Sequence, residues 1–293
     1  MRVTSQSIYN TLLAGIRNQM QTQDDGTEQI SSGRRFNRPS QDGVAYTTSL
    51  NIRHTQSGIE ASLGAINEAK LRLGVSANAL AEMVPIMQRA EFIAVQQANA
   101  TLTGSQRTTA AIEVAALENQ LLALANATFE GKALFSGTAT NRDAIVIDGS
   151  GDASYNGNAQ DRIVAITPTQ SIVSNIRGDN NAFLQSFAAI KFLKGALAGN
   201  DQSSVQSTIT LLADASTAVI GINAEIGGRL SSLAIRENTY TNLETQMEVQ
   251  LNQHESVDMA EVAMRLAQSE VSLKAAYAEV AKFNQLSLVN FLR

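Results

Sequence analysis

Seams of apolar residues at heptad spacing run through most of this chain, and few folds can bury them. Ile59, Leu63, Ile66, Leu73, Ala77, Leu80 and Val84 advance by alternate steps of four and three, with Lys70 in the one polar slot. A second seam runs through Val219, Ile222, Ile226, Leu233, Tyr240, Leu243 and Met247. A third runs through Met259, Val262, Leu266, Leu273, Ala276, Val280 and Phe283, with Ser269 in its polar slot. Near the start, Ile8, Leu12, Ile16 and Met20, beside Leu13, make a thinner stripe of the same kind. A narrow stripe of this sort is covered only by another helix, and a thin one is marginal in isolation. The spacing therefore predicts a mainly α protein. Its expected form is an elongated rod of long antiparallel helices, with the N- and C-terminal arms paired like a coiled coil. At 1.5 Å per residue, a forty-residue helix reaches about 60 Å.

The punctuation divides this pattern. Pro85 falls inside the first long seam and predicts a kink or a break there. TLTGSQ, residues 101–106, supplies a glycine stop and a helix N-cap, after which a helix is expected from about Thr108 to Phe129, burying Ile112, Leu117, Leu121, Leu122 and Leu124. Residues 139–182 hold short β-branched runs (AIVID, RIVAIT, SIVSNI) separated by Asp-Gly, Asn-Gly and Gly-Asp pairs, which are hairpin signals. AFLQSFAAIKFLKGALAG, residues 182–199, returns to helix, and Gly227-Gly228 is a weak point in the second seam. The expected division is a terminal segment and turn at 1–42, one half of a helical rod domain at 43–138, a small β-rich insertion at 139–182, the other half of the rod at 183–250, and a second terminal segment at 251–293.

Composition removes several function classes. Without cysteine there is no disulfide framework and no thiolate metal site. A net charge of −5 argues against general nucleic-acid binding, which needs a basic face. No stretch is an unbroken apolar run of the roughly 18 residues that span a membrane, so no membrane insertion is expected. The N-terminus has no apolar core followed by a small-residue cleavage site, so export by a cleaved signal peptide is not expected either.

Candidate chemistry is equally sparse. His54 and His254 have no second histidine three or four residues away, as helical metal sites usually do. FEGKALF, residues 129–135, lacks the first glycine and the hydroxyl residue of a phosphate loop. IDGSGD, residues 147–152, lacks the closing glutamate of a calcium loop and reads as a tight turn. No serine sits in a nucleophile elbow. No enzyme activity, metal or cofactor is therefore expected.

The one basic concentration is SSGRRFNRPSQDG, residues 31–43, with Arg34, Arg35 and Arg38 around the single aromatic Phe36. Asp24, Asp25, Glu28 and Asp42 offset its charge, so a nucleic-acid clamp is not supported. Gly33 and Gly43 permit backbone turns, and Pro39 biases Arg38 away from helix. The stretch reads as a joint between helices. Its arginines suit bidentate pairs with carboxylates of neighbouring subunits.

Six separated motifs resemble the flagellin-like axial proteins of the bacterial flagellum, and within them the hook-associated proteins of the hook–filament junction. They are MRVTSQ at the start, SGRRFNRPSQDG at 32–43, LFSGT at 134–138, YNGN at 155–158, VDMAE at 257–261 and LKAAYAEVAKFNQLSLVNFL at 273–292. Gln41 stands where the family's turn usually has an acid, Gly43 where it has a proline, and Ser136 where it has a glycine. The resemblance implies a structural protein secreted through the flagellar type III export apparatus and found in the extracellular flagellum. It would join the hook, by way of hook-associated protein 1, to the flagellin filament. The implied partners are hook-associated protein 1, flagellin, further copies of this chain in a ring, and a flagellar export chaperone. Both terminal segments would be disordered in the monomer and fold as a coiled coil on assembly. Ile8, Leu12, Ile16, Val262, Leu266, Leu273, Val280 and Phe283, with Arg34, Arg35, Phe36 and Arg38, would then be assembly contacts. A filament-forming flagellin paralogue is the nearest alternative, and a helical-bundle signalling or adhesion module the next.

Overall fold

The computed structural model describes residues 5–167 and 169–291. Among these residues there are six helices: α1 (Ser5–Ser32), α2 (Gly43–Gln97), α3 (Gly104–Ala125), α4 (Asn181–Ala198), α5 (Gln202–Glu255) and α6 (Met259–Phe291). Six short strands lie between α3 and α4, joined in sequence as three antiparallel hairpins. Helix therefore dominates, as the seams require. The chain divides into two compact units, one made of Met1–Ser57 with Glu244–Arg293, the other of Gly58–Leu243.

In the Gly58–Leu243 unit, the heptad positions Ile59, Ile66, Leu73, Leu80 and Met87 of α2 are all buried. All of these but Ile59 share one continuous core with Leu212, Val219, Ile226 and Leu233 of α5, and that core also takes in α3 and α4. Lys70, the polar slot of the first seam, reaches Glu237 of α5 at 2.5 Å. Helix α5 is long and apolar enough, by length and composition alone, to cross a membrane. Its seam is nonetheless buried in this protein core.

Three local expectations need correction. Pro85 does not end α2, which continues as helix to Gln97. The buried residues beyond it (Met87, Ala90, Ile93 and Ala94) hold both sides of the proline in the core, so packing outweighs the lost hydrogen bond. Gly227-Gly228 likewise does not interrupt α5. Helix α3 starts earlier and stops earlier than the apolar pattern implies, and Ile112 is 69% exposed. The start is set by a capping box, in which Thr103 Oγ1 accepts from the Gln106 amide and the Gln106 side chain accepts from the Thr103 amide. The stop is set by Asn126, whose side-chain amide pairs with both backbone groups of Ile145 at 2.8 and 2.9 Å.

The strands are β1 (Thr128–Phe129), β2 (Lys132–Ala133), β3 (Ile145–Ile147), β4 (Ala153–Tyr155), β5 (Ile163–Thr167) and β6 (Gln170–Val173). Between β1 and β2, Glu130 and Gly131 both adopt positive φ, the geometry of a two-residue hairpin turn. FEGK is thus a turn, in keeping with its failed match to a phosphate loop. Between β3 and β4, the Asp148 carboxylate accepts from the Asp152 and Ser150 amides at 2.8 Å, and these bonds hold it below the usual carboxylate range. The hairpins are fixed to α2 by Ser62 Oγ donating to the Ile166 carbonyl, by Arg72 donating to the Ala133 carbonyl, and by the Arg162–Glu68 ion pair.

Candidate assembly site at the first turn

The unit formed by the chain's two ends is built on α1 packed against α6. Ile16 and Val262 are buried in this seam, and Ser269, its polar slot, exchanges long hydrogen bonds with Gln19. Gly26 lets the helices approach closely, since a Cβ there would lie 3.0 Å from Leu266 Cγ. Leu12, Leu266, Leu273 and Val280 are half-buried, and Ile8 is exposed. The Phe283 side chain lies outside the described residues.

Helix α1 ends at Ser32 because Gly33 enters the left-handed region at φ +69°, and its amide still donates to the Gln29 carbonyl. The reversed chain then runs beside the turn after α5. The Arg35 amide donates to the Glu255 carbonyl at 2.7 Å, and the Val257 amide donates to the Gly33 carbonyl at 3.2 Å. Asp42 caps α2, its carboxylate accepting from the Ala45 amide at 2.9 Å. The sequence motifs SGRRFN and VDMAE therefore meet at one place.

Each residue of the turn has a distinct environment. Phe36 is buried, edge-on to Tyr46 with ring centroids 6.5 Å apart, and the Arg35 guanidinium lies 5.7 Å from its ring centre. Arg38 pairs with Glu28 and, at 3.5 Å, with Asp25. The hydrogen bond and charge of Glu28 raise its pKa further. Arg53 of α2 grips the Glu255 carboxylate with contacts of 2.7 and 2.8 Å, while Arg34 Nε stands 3.4 Å from it. Within this chain, then, the carboxylate partners of Arg34 and Arg38 are Glu255, Glu28 and Asp25. Arg35 has no carboxylate partner among the described residues and borders a polar cavity of about 500 Å³ with Asp25, Gln41 and Arg265.

Two things at this site were not legible in the sequence. Glu255 lies 202 positions from Arg53, so nothing local marks it as the carboxylate at the centre of the joint. The outer side of α6 was missed as well: Met264 and Val271 are 68% and 62% exposed, a full heptad apart, on a side that α1 does not cover. Their spacing was available, but the deeper seam at Val262 and Leu266 accounted for the pattern first.

Gln41 shows how a departure from the family turn is accommodated. Its Oε1 accepts from the Asn37 and Arg38 amides, and its Nε2 donates to Asp25 at 3.1 Å and Glu28 at 3.3 Å. A carboxylate could replace only the accepting half, and it would add a third negative charge beside Asp25 and Glu28. Gln41→Glu should therefore destabilise this unit by about 1 kcal/mol at neutral pH. The loss should shrink in high salt, where screening weakens the repulsion. Urea unfolding at low and high salt tests this, and equal stability of the two proteins in low salt would contradict it.

Residues 3–140 match the model of the bacterial flagellin N-terminal helical region. The chain is 24% identical to flagellar hook-associated protein 3 of Salmonella typhimurium over 319 residues, covering all of both chains. The chain is thus similar to flagellar structural proteins, along its whole length to hook-associated protein 3 and in its first half to flagellins. It is also 22% identical to hook-associated protein 3 of Escherichia coli K12, over 98% of each chain. Polar flagellin F of Vibrio parahaemolyticus is 28% identical, but over only 43% of this chain and 34% of that flagellin. In fold, a solved flagellar hook-associated protein of Vibrio parahaemolyticus superposes with a TM-score of 0.65 at 24% identity, covering 74% of this chain and all of that one. The flagellar junction protein of Legionella pneumophila gives 0.58 at 17% identity, over 70% of this chain and all of its own.

Proposed function

We propose that this flagellar component is the adapter of the hook–filament junction, seated between hook-associated protein 1 and the flagellin filament in a ring of its own copies. The observation that carries this reading is the end-to-end match to hook-associated protein 3, set against a match to flagellins that stops at less than half of the chain. A filament-forming paralogue would be expected to match flagellins through its C-terminal half as well. On this reading the protein is delivered by the flagellar export apparatus with a chaperone and works in the extracellular flagellum.

Assembly would run through α1 and α6. Their shared seam is thin, with Ile8 and Met20 still exposed, so its outer turns gain stability by meeting further helices. The exposed stripe of Met264 and Val271 supplies apolar surface for such contacts. Unlike the rest of the two terminal segments, the joint, tied by its own ion pairs and backbone bonds, would stay folded in the free chain. A Met264→Asp, Val271→Asp double variant should keep its helical circular dichroism while failing to enter flagella. Normal incorporation of that variant would contradict this placement of the contacts.

A further inference from the structure

We propose that a notch on the α2 side of Phe36 is a carboxylate-binding site, filled on assembly by an acidic side chain of a neighbouring copy of this chain. The second half of that statement rests on the assembly reading above; the first does not. The notch has a volume of about 100 Å³ and is bounded by Arg34, Phe36, Tyr46, Ser49, Arg53 and Glu255. That is room for about three waters, or for one small planar anion.

Its charge is unbalanced. Two guanidinium groups face one carboxylate, so the site carries a net +1. Arg53 uses Nε and Nη2 on Glu255, and Arg34 offers it only Nε at 3.4 Å. Both Nη groups of Arg34 and Nη1 of Arg53 have no partner among the described residues. Guanidinium groups with spare paired donors favour a planar two-oxygen acceptor over a spherical ion.

Ser49 is the second, independent observation. Its neighbours Thr47 and Thr48 turn their hydroxyls back onto the Gly43 and Val44 carbonyls, the usual habit of such residues in a helix. Ser49, only 3% exposed, does not, and its Oγ has no hydrogen-bond partner. A buried hydroxyl without a partner is costly, and a carboxylate oxygen in the notch would accept from it. The Phe36–Tyr46 pair walls the notch with apolar surface, which strengthens charge pairing inside it.

Two measurements test this on the full chain. In the first, sodium acetate is titrated into the protein while the side-chain Nε–H resonances of Arg34 and Arg53 are followed by NMR, with sodium chloride at equal ionic strength as reference. Acetate should give a saturable shift that chloride does not. Arg34→Gln should weaken acetate binding about tenfold, and Ser49→Ala about threefold. Circular dichroism of both variants confirms that they fold. No saturable shift, an equal response to chloride, or full affinity in Arg34→Gln would overturn the site. In the second, a photo-crosslinking residue at Leu50, on the rim, is activated in assembled flagella. A cross-link to an Asp- or Glu-containing peptide of a second copy is expected. Acetate binding without any link between copies would refute the neighbouring chain as source and leave free small carboxylates as the ligand. If the junction role itself fails, the acetate result still stands.

Discussion

Gly157→Ala should lower the stability of the Gly58–Leu243 unit by about 3 kcal/mol. The added methyl would stand 2.3 Å from Tyr155 Oη and 2.5 Å from the Ser136 carbonyl oxygen, and the second of these is backbone. Two segments meet here through the Asn158 amide donating to the Ser136 carbonyl and the Thr138 amide donating to Asn158 Oδ1, while Tyr155 Oη donates to the Asn158 carbonyl within its own segment. A displacement large enough to admit the methyl breaks several of these bonds together. The same contact buries Phe135 against Phe183, ring centres 5.0 Å apart, so the disturbance reaches the core. Tyr155→Phe is the control, since it removes one hydrogen bond without adding volume and should cost only about 1 kcal/mol. Urea unfolding of the three proteins checks this. An alanine variant no less stable than Tyr155→Phe would show that the approach is looser than described.

Glu255→Ala should cost about 3 kcal/mol in the unit formed by the chain's ends. Glu255 has 10% of its side chain exposed and holds both Arg34 and Arg53. Its removal leaves two guanidinium groups facing each other with no counter-charge. The arginines keep 48% and 40% of their side chains in water, which places the cost at the lower end of the range for a broken buried pair. Because the Arg35 amide donates to the Glu255 carbonyl, loosening the turn should also speed hydrogen exchange at Arg35 and Val257. A loss below about 0.5 kcal/mol, the size of an exposed pair, would contradict the central place of Glu255.

What could be read from the sequence was what repeats along it. The seams at Ile59–Val84 and Val219–Met247 fixed which sides of α2 and α5 are buried, because burial on a long helix must follow its period. Asp-Gly and Asn-Gly pairs marked the hairpin region for a similar reason, since few residues tolerate those turns. Pro85 does not break α2 because one missing hydrogen bond is small beside the packing of Met83, Met87 and Ala90 on either side. LFSGT and YNGN were legible as family motifs, but not as partners. Their meeting depends on Gly137 and Gly157 letting two backbones touch, and no local rule encodes that. The joint was legible as a turn with surplus arginine. That Glu255 would arrive from the far end of α5 to hold two of the cations depends on tertiary pairing alone.

The adapter role is tested most directly by deleting the gene and examining the cells by electron microscopy, with the culture medium assayed for flagellin. Bare hooks without filaments, flagellin spilled into the medium, and filaments restored by the wild-type gene are the predicted result. Intact filaments on the deletion strain would contradict it.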